Sequence, residues 1–156
     1  MFASLPTAGR SLVWASWAGT VAFVVAISLA VASSDLRPVG VTVSLALFGI
    51  GCVAFLWAYA IAIDRSRIDA IGIGGLYFLA GSAPASVRRH MMSALAIQTV
   101  VSIVAASMRP FTPVAFGILV PMYGLGLAGL WAARHGIFER RTKVVPKKKK
   151  PTQAKP

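Results

Sequence analysis

The chain has 156 residues, of which 57% are hydrophobic and 13% charged, with a formal net charge of +12 and a mean hydropathy of +0.75. Water-soluble domains are less apolar and carry more charge, so this composition excludes an ordinary soluble fold and points to a membrane protein. The single cysteine, Cys52, excludes an intramolecular disulfide and any multi-cysteine metal site.

Four strongly apolar runs without a charged residue stand out: 11–34, 38–63, 91–108 and 110–133. Each is close to the ~20 residues that cross ~30 Å of hydrocarbon at ~1.5 Å per residue. Backbone amides have no partner in lipid outside a helix or a closed barrel, and no run shows the alternation of a barrel strand. The prediction is an all-α, four-span protein with helices at about 11–33, 39–63, 91–108 and 112–133. They form one transmembrane domain, 11–136, between an N-terminal segment 1–10 and a basic tail 137–156. The first run, with Ala30-Val31-Ala32 near its end, resembles a signal peptide, but it is too long for one and too apolar for a transit peptide.

The stretch between the second and third runs, 64–90, has an apolar core at 70–83 with four glycines. That core is too short to span and suits an interfacial or re-entrant segment. Charge decides the same question independently. Kept on one side, the loop shares its face with both termini, and fourteen of the sixteen Lys and Arg lie there. Arg37 and Arg109 alone lie opposite. A fifth crossing would move Arg88, Arg89 and the tail cations outside, against the positive-inside bias. The expected location is therefore the cell (inner) membrane, multi-pass, with both termini cytoplasmic. Trp14, Trp17, Trp57 and Trp131 all fall toward that side, where indoles favour the interface.

Helices in lipid associate through small residues and interhelical polar contacts. Helix one carries Ala18, Ala22, Ala26 and Ala30 at four-residue spacing, and helix two carries Ala54, Ala58 and Ala62. Helix three places Ala94, Gln98, Ser102 and Ala105 or Ala106 on one face, and a Gln in hydrocarbon seeks a partner. Helix four holds Gly117, Pro121, Gly124, Gly126 and Gly129, and Pro121 removes a backbone bond and crowds the Gly117 carbonyl, which predicts a kink. The packing candidates are Gln98, Ser102, Ala22, Ala26, Gly117, Pro121 and Gly124. The lipid-headgroup candidates are Arg65, Arg67, Arg88, Arg89, Arg134, Lys147, Lys148, Lys149 and Lys150.

Several chemistries find no support. All four acids, Asp35, Asp64, Asp69 and Glu139, lie outside the charge-free runs, whereas proton-coupled transport uses an embedded carboxylate. His90 and His135 invite haem ligation, but both abut arginines, which favour lipid phosphate as neighbour. The GIGG at 72–75 lacks the later glycine and the lysine of nucleotide loops. No nucleophile constellation appears, so no enzyme activity, cofactor or metal is expected. The tail VVPKKKKPTQAKP suits an anionic leaflet, and without interleaved aromatics it argues against nucleic acid.

The Ala/Val/Gly-rich spans, the arginine-only short loops and the ending WAARHGIFERR with its PKKKKP tail resemble small four-helix membrane proteins of actinobacteria. Some of those accompany respiratory complexes, and the resemblance implies an accessory subunit of the respiratory chain while carrying over no functional residue. The expectation is a non-catalytic subunit that stabilises or assembles a larger membrane complex through other membrane subunits. The alternative is a small oligomeric transporter or channel for an uncharged solute, lined by Gln98, Ser102, Tyr123 and the broken fourth helix.

Overall fold

The computed structural model describes residues 8–141. Helix α1 is Arg10–Ala32, α2 is Arg37–Arg65, α3 is the five-residue Ile73–Tyr77, α4 is Ala85–Met108 and α5 is Pro121–His135, the last preceded by a 3-10 segment, Pro113–Leu119. Among the described residues the fold is all-helical, and four helices, counting Pro113–His135 as one span, are long and apolar enough to cross a membrane. Lys147, Lys148, Lys149 and Lys150 lie outside the described residues.

The expected run boundaries are close, but the helices continue past the charges that ended them. α4 starts at Ala85, directly after Pro84, and so carries Arg88, Arg89 and His90 in its opening turns. Proline suits that place because its missing N–H would have had no intrahelical partner. α2 runs 29 residues, about 43 Å at ~1.5 Å per residue against ~30 Å of hydrocarbon.

The fourth span is the central post. Some 56% of its most apolar window is buried, against 39%, 28% and 28% for the other three. The sequence predicts a kink in this span; in the structure the other three spans pack around it. Glycine is the reason. A Cβ on Gly126 would collide with the Gly51 carbonyl oxygen, and one on Gly51 would lie 2.5 Å from the Tyr123 nitrogen. α2 and α5 therefore meet backbone to backbone, and they run parallel: Gly51 faces Tyr123, Ala58 approaches Gly129, and Arg65 reaches Ala133.

The buried face of α2 descends through Gly40, Ser44, Leu47, Gly51, Ala54, Ala58 and Ala62, steps of four and three that alternate as far as Ala58. That spacing holds one stripe facing a partner along a helix of 3.6 residues per turn. The alanines of α1 do not follow it. Four-residue steps drift around the helix by about 40° each; Ala26 and Ala30 are buried, while Ala18 and Ala22 are exposed. The face α1 buries runs instead through Val13, Ser16, Thr20, Phe23, Ile27 and Ala30.

The 64–90 loop folds back under the bundle at the end that also holds residues 8–9 and 136–141. Leu76, Tyr77 and Leu79 are buried, and Tyr77 stacks on Phe55 with centroids 4.2 Å apart. Burial, with a smaller contribution from Tyr59, raises the Tyr77 phenol above its ordinary pKa. The loop is stitched to the C-terminal stretch by backbone bonds from Ala70 to Glu139 (2.7 Å), from Ile137 to Ser82 (2.9 Å) and from Arg141 to Ile68 (2.9 Å).

Candidate functional site

The most polar part of the interior is a junction where α1, α4 and the broken fourth span meet. Its origin is Pro121. Lacking an N–H, Pro121 cannot serve the Gly117 carbonyl four residues back, and the span is left as a 3-10 segment followed by an α-helix. The Val120 amide donates to Gly117 O at 3.1 Å, and the Ser102 hydroxyl from α4 adds a second donor at 2.8 Å. The same hydroxyl lies 2.6 Å from Gln98 O, so one proton serves two carbonyls.

Gln98 completes the junction. It is wholly buried, with 0% exposure. Its Nε2 donates to Thr20 Oγ1 of α1 at 2.7 Å, and Thr20 passes its own proton to Ser16 O at 2.8 Å. Its Oε1 accepts from the Gly124 amide at 3.2 Å, in the opening turn of α5. These partners set the amide's orientation, since the reverse would point an NH₂ group at an N–H. Gly124 is a steric requirement: a Cβ there would stand 2.6 Å from Gln98 Oε1. On the α1 side of the junction, the Tyr123 hydroxyl donates to Ala15 O at 2.7 Å, its ring lying where a side chain on Gly19 would be.

The structure thus brings together Gln98, Ser102, Gly117, Pro121 and Gly124. Ala26 is buried in the α1 face, and Ala22 stands apart on the exposed side. Sequence reasoning missed Thr20. The available signal was depth, because Thr20 and Gln98 each lie near the middle of their helices and so meet when α1 and α4 run side by side in the same direction.

The arginines divide. Arg67, Arg88, Arg89 and Arg134 are exposed. Arg65 is partly buried, its side chain 31% exposed. It donates to Ala133 O at 2.8 Å and Gly136 O at 3.1 Å, pairs with Asp69 at 3.0 Å and lies 5.4 Å over the Phe138 ring. A cation there satisfies the open carbonyls at the α5 C-terminus and complements its dipole. Arg109 does the same for α1 at the opposite end, donating to Val31 O at 3.1 Å. Trp131, expected in an interfacial belt, is only 1% exposed; it belongs to the central span and is covered by Gly9 and His135.

The His90 and Trp17 rings meet edge to face with centroids 6.4 Å apart, and His135 lies against Trp131. Among the described residues no group of three or more His, Cys, Asp or Glu is positioned to hold a metal ion. Comparison of the chain with protein-family models, with curated proteins and with solved structures finds no match in any of the three.

Proposed function

We propose that this protein is a non-catalytic integral membrane subunit that stabilises or assembles a larger membrane complex, with both termini and the 64–90 loop on the cytoplasmic side and the loop lying interfacially. One observation carries the reading: the polar groups at the middle of the bundle bond to other helices. Gln98 and Ser102 are buried and bridge three elements, an arrangement that fastens helices. A conduit for an uncharged solute needs those same groups turned toward water, which is what the transporter reading asks of Gln98 and Tyr123. The respiratory chain enters only through the resemblance of the spans and tail, as one class of assembly with which such a subunit works.

The test is purification from the native membrane in a gentle detergent or nanodisc, with mass spectrometry of what co-migrates. A stoichiometric set of other membrane subunits is the expected result and names the complex. A homo-oligomer that carries a solute across proteoliposomes overturns the reading.

A further inference from the structure

The seam between α2 and α5 has two sides, and the described residues cover only one of them. On that side α3 inserts Leu76 and Tyr77 beside Ala62 and Tyr59. The other side is a groove of about 560 Å³ walled by Gly49, Ile50, Val53, Trp57 and Leu127 and ending at Arg134. From Gly49 to Trp57 is about 12 Å of helix at ~1.5 Å per residue, most of the depth of one ~15 Å leaflet. Nothing lies within 4 Å of where a Cβ on Gly49 would be, so the deep end is open.

Arg134 gives the groove its chemistry. It stands exposed in the last turn of α5, and its guanidinium, unlike that of Arg65, makes no hydrogen bond or ion pair with any described residue. Trp57, 56% exposed, lies at the same end, where an indole suits the level between acyl chains and headgroups. We infer that this groove holds one anionic phospholipid, an acyl chain lying between Gly49 and Leu127 and the phosphate meeting the Arg134 guanidinium. Charge complementarity selects this occupant: the walls are apolar, the only ionic group among the described lining residues is a cation at the rim, and a guanidinium binds phosphate oxygens bidentately. The inference is independent of which complex the protein joins.

Native mass spectrometry of the delipidated full chain, titrated with phosphatidylglycerol and with phosphatidylcholine of the same acyl chains, tests it. One phosphatidylglycerol per chain is expected to be retained in preference to phosphatidylcholine. Arg134→Gln should lower that retention about fivefold, the effect of one interfacial cation, and should lower that of phosphatidylcholine less, because its choline cation already offsets the phosphate. Gly49→Phe should abolish retention of both, its ring filling open space without displacing a neighbouring helix. Replacing Lys147, Lys148, Lys149 and Lys150 by Gln should leave the retained lipid in place, which separates the groove from tail adhesion. Equal retention of the two lipids by the unmodified chain overturns the proposal, as does an unchanged Arg134→Gln or Gly49→Phe variant. If either variant fails to fold, the comparison of the two lipids on the unmodified chain decides alone.

Discussion

The side-chain oxygen of Gln98 sits 3.2 Å from the backbone nitrogen of Gly124, in the opening turn of α5. Together with the Ser102 bond to Gly117 O, this contact means that α4 supplies polar partners to the fourth span on both sides of Pro121. The break and the buried Gln are two parts of one arrangement. A continuous α-helix would need no Ser102, and an unbroken apolar face on α4 would leave the Gly117 carbonyl with one donor fewer.

Replacing Gln98 by Leu removes the bonds to Thr20 and Gly124 and is expected to cost about 1–2 kcal/mol, within the range of interhelical hydrogen bonds in membranes and of buried groups left unpaired. Ser28→Ala, on the exposed side of α1, should change stability by less than ~0.5 kcal/mol. Reversible unfolding of the two variants in mixed micelles compares them; equal loss would show that Gln98 holds nothing together.

Glycines on α2 and α5 should differ sharply in what they tolerate. Gly126→Leu on α5 drives a side chain into the Gly51 carbonyl and should destabilise by about 3 kcal/mol or prevent folding, the severe end of overpacking. Gly49→Ala meets open space and should be neutral or stabilising by up to ~1 kcal/mol, because alanine orders a helix at lower entropic cost. Thermal aggregation in detergent ranks the variants.

Arg65→Gln strips two carbonyls at the end of α5 of their donor and should speed hydrogen exchange in the last turn of that helix and in 136–141. Arg65→Lys should restore only part of the protection, since a point cation cannot span both carbonyls and the Asp69 carboxylate. Asp69→Asn should have a smaller effect, because the ion pair is partly exposed and such pairs contribute little.

Topology is open to direct labelling in a Cys52→Ala background. Leu36→Cys, in the short turn between α1 and α2, is expected to react with an impermeant maleimide from outside intact cells. Arg67→Cys should react only after permeabilisation. The opposite pattern would invert the charge-based orientation.

Much of this architecture is legible in the sequence because hydrophobic length alone demands four spans, and the Pro121 break and the need of Gln98 for a partner follow from local chemistry. What escapes depends on register and on rank in the bundle. The Ala18–Ala22 end of the α1 stripe faces outward because four-residue spacing outruns the helical turn. Trp131 is drawn inward because the fourth span is the centre of the bundle, a rank that only three-dimensional packing assigns. α4 begins at Ala85 because a helix does not stop where its charge begins.

A buried junction that fastens helices together is dry. Cysteine placed at Ser102, again without Cys52, and exposed to a small water-soluble methanethiosulfonate in native membranes tests that most directly. Fastened helices predict no modification from either side while Leu36→Cys in the same preparation labels fully. Rapid modification at 102 would place water beside Gln98 and contradict the account in favour of a conducting path.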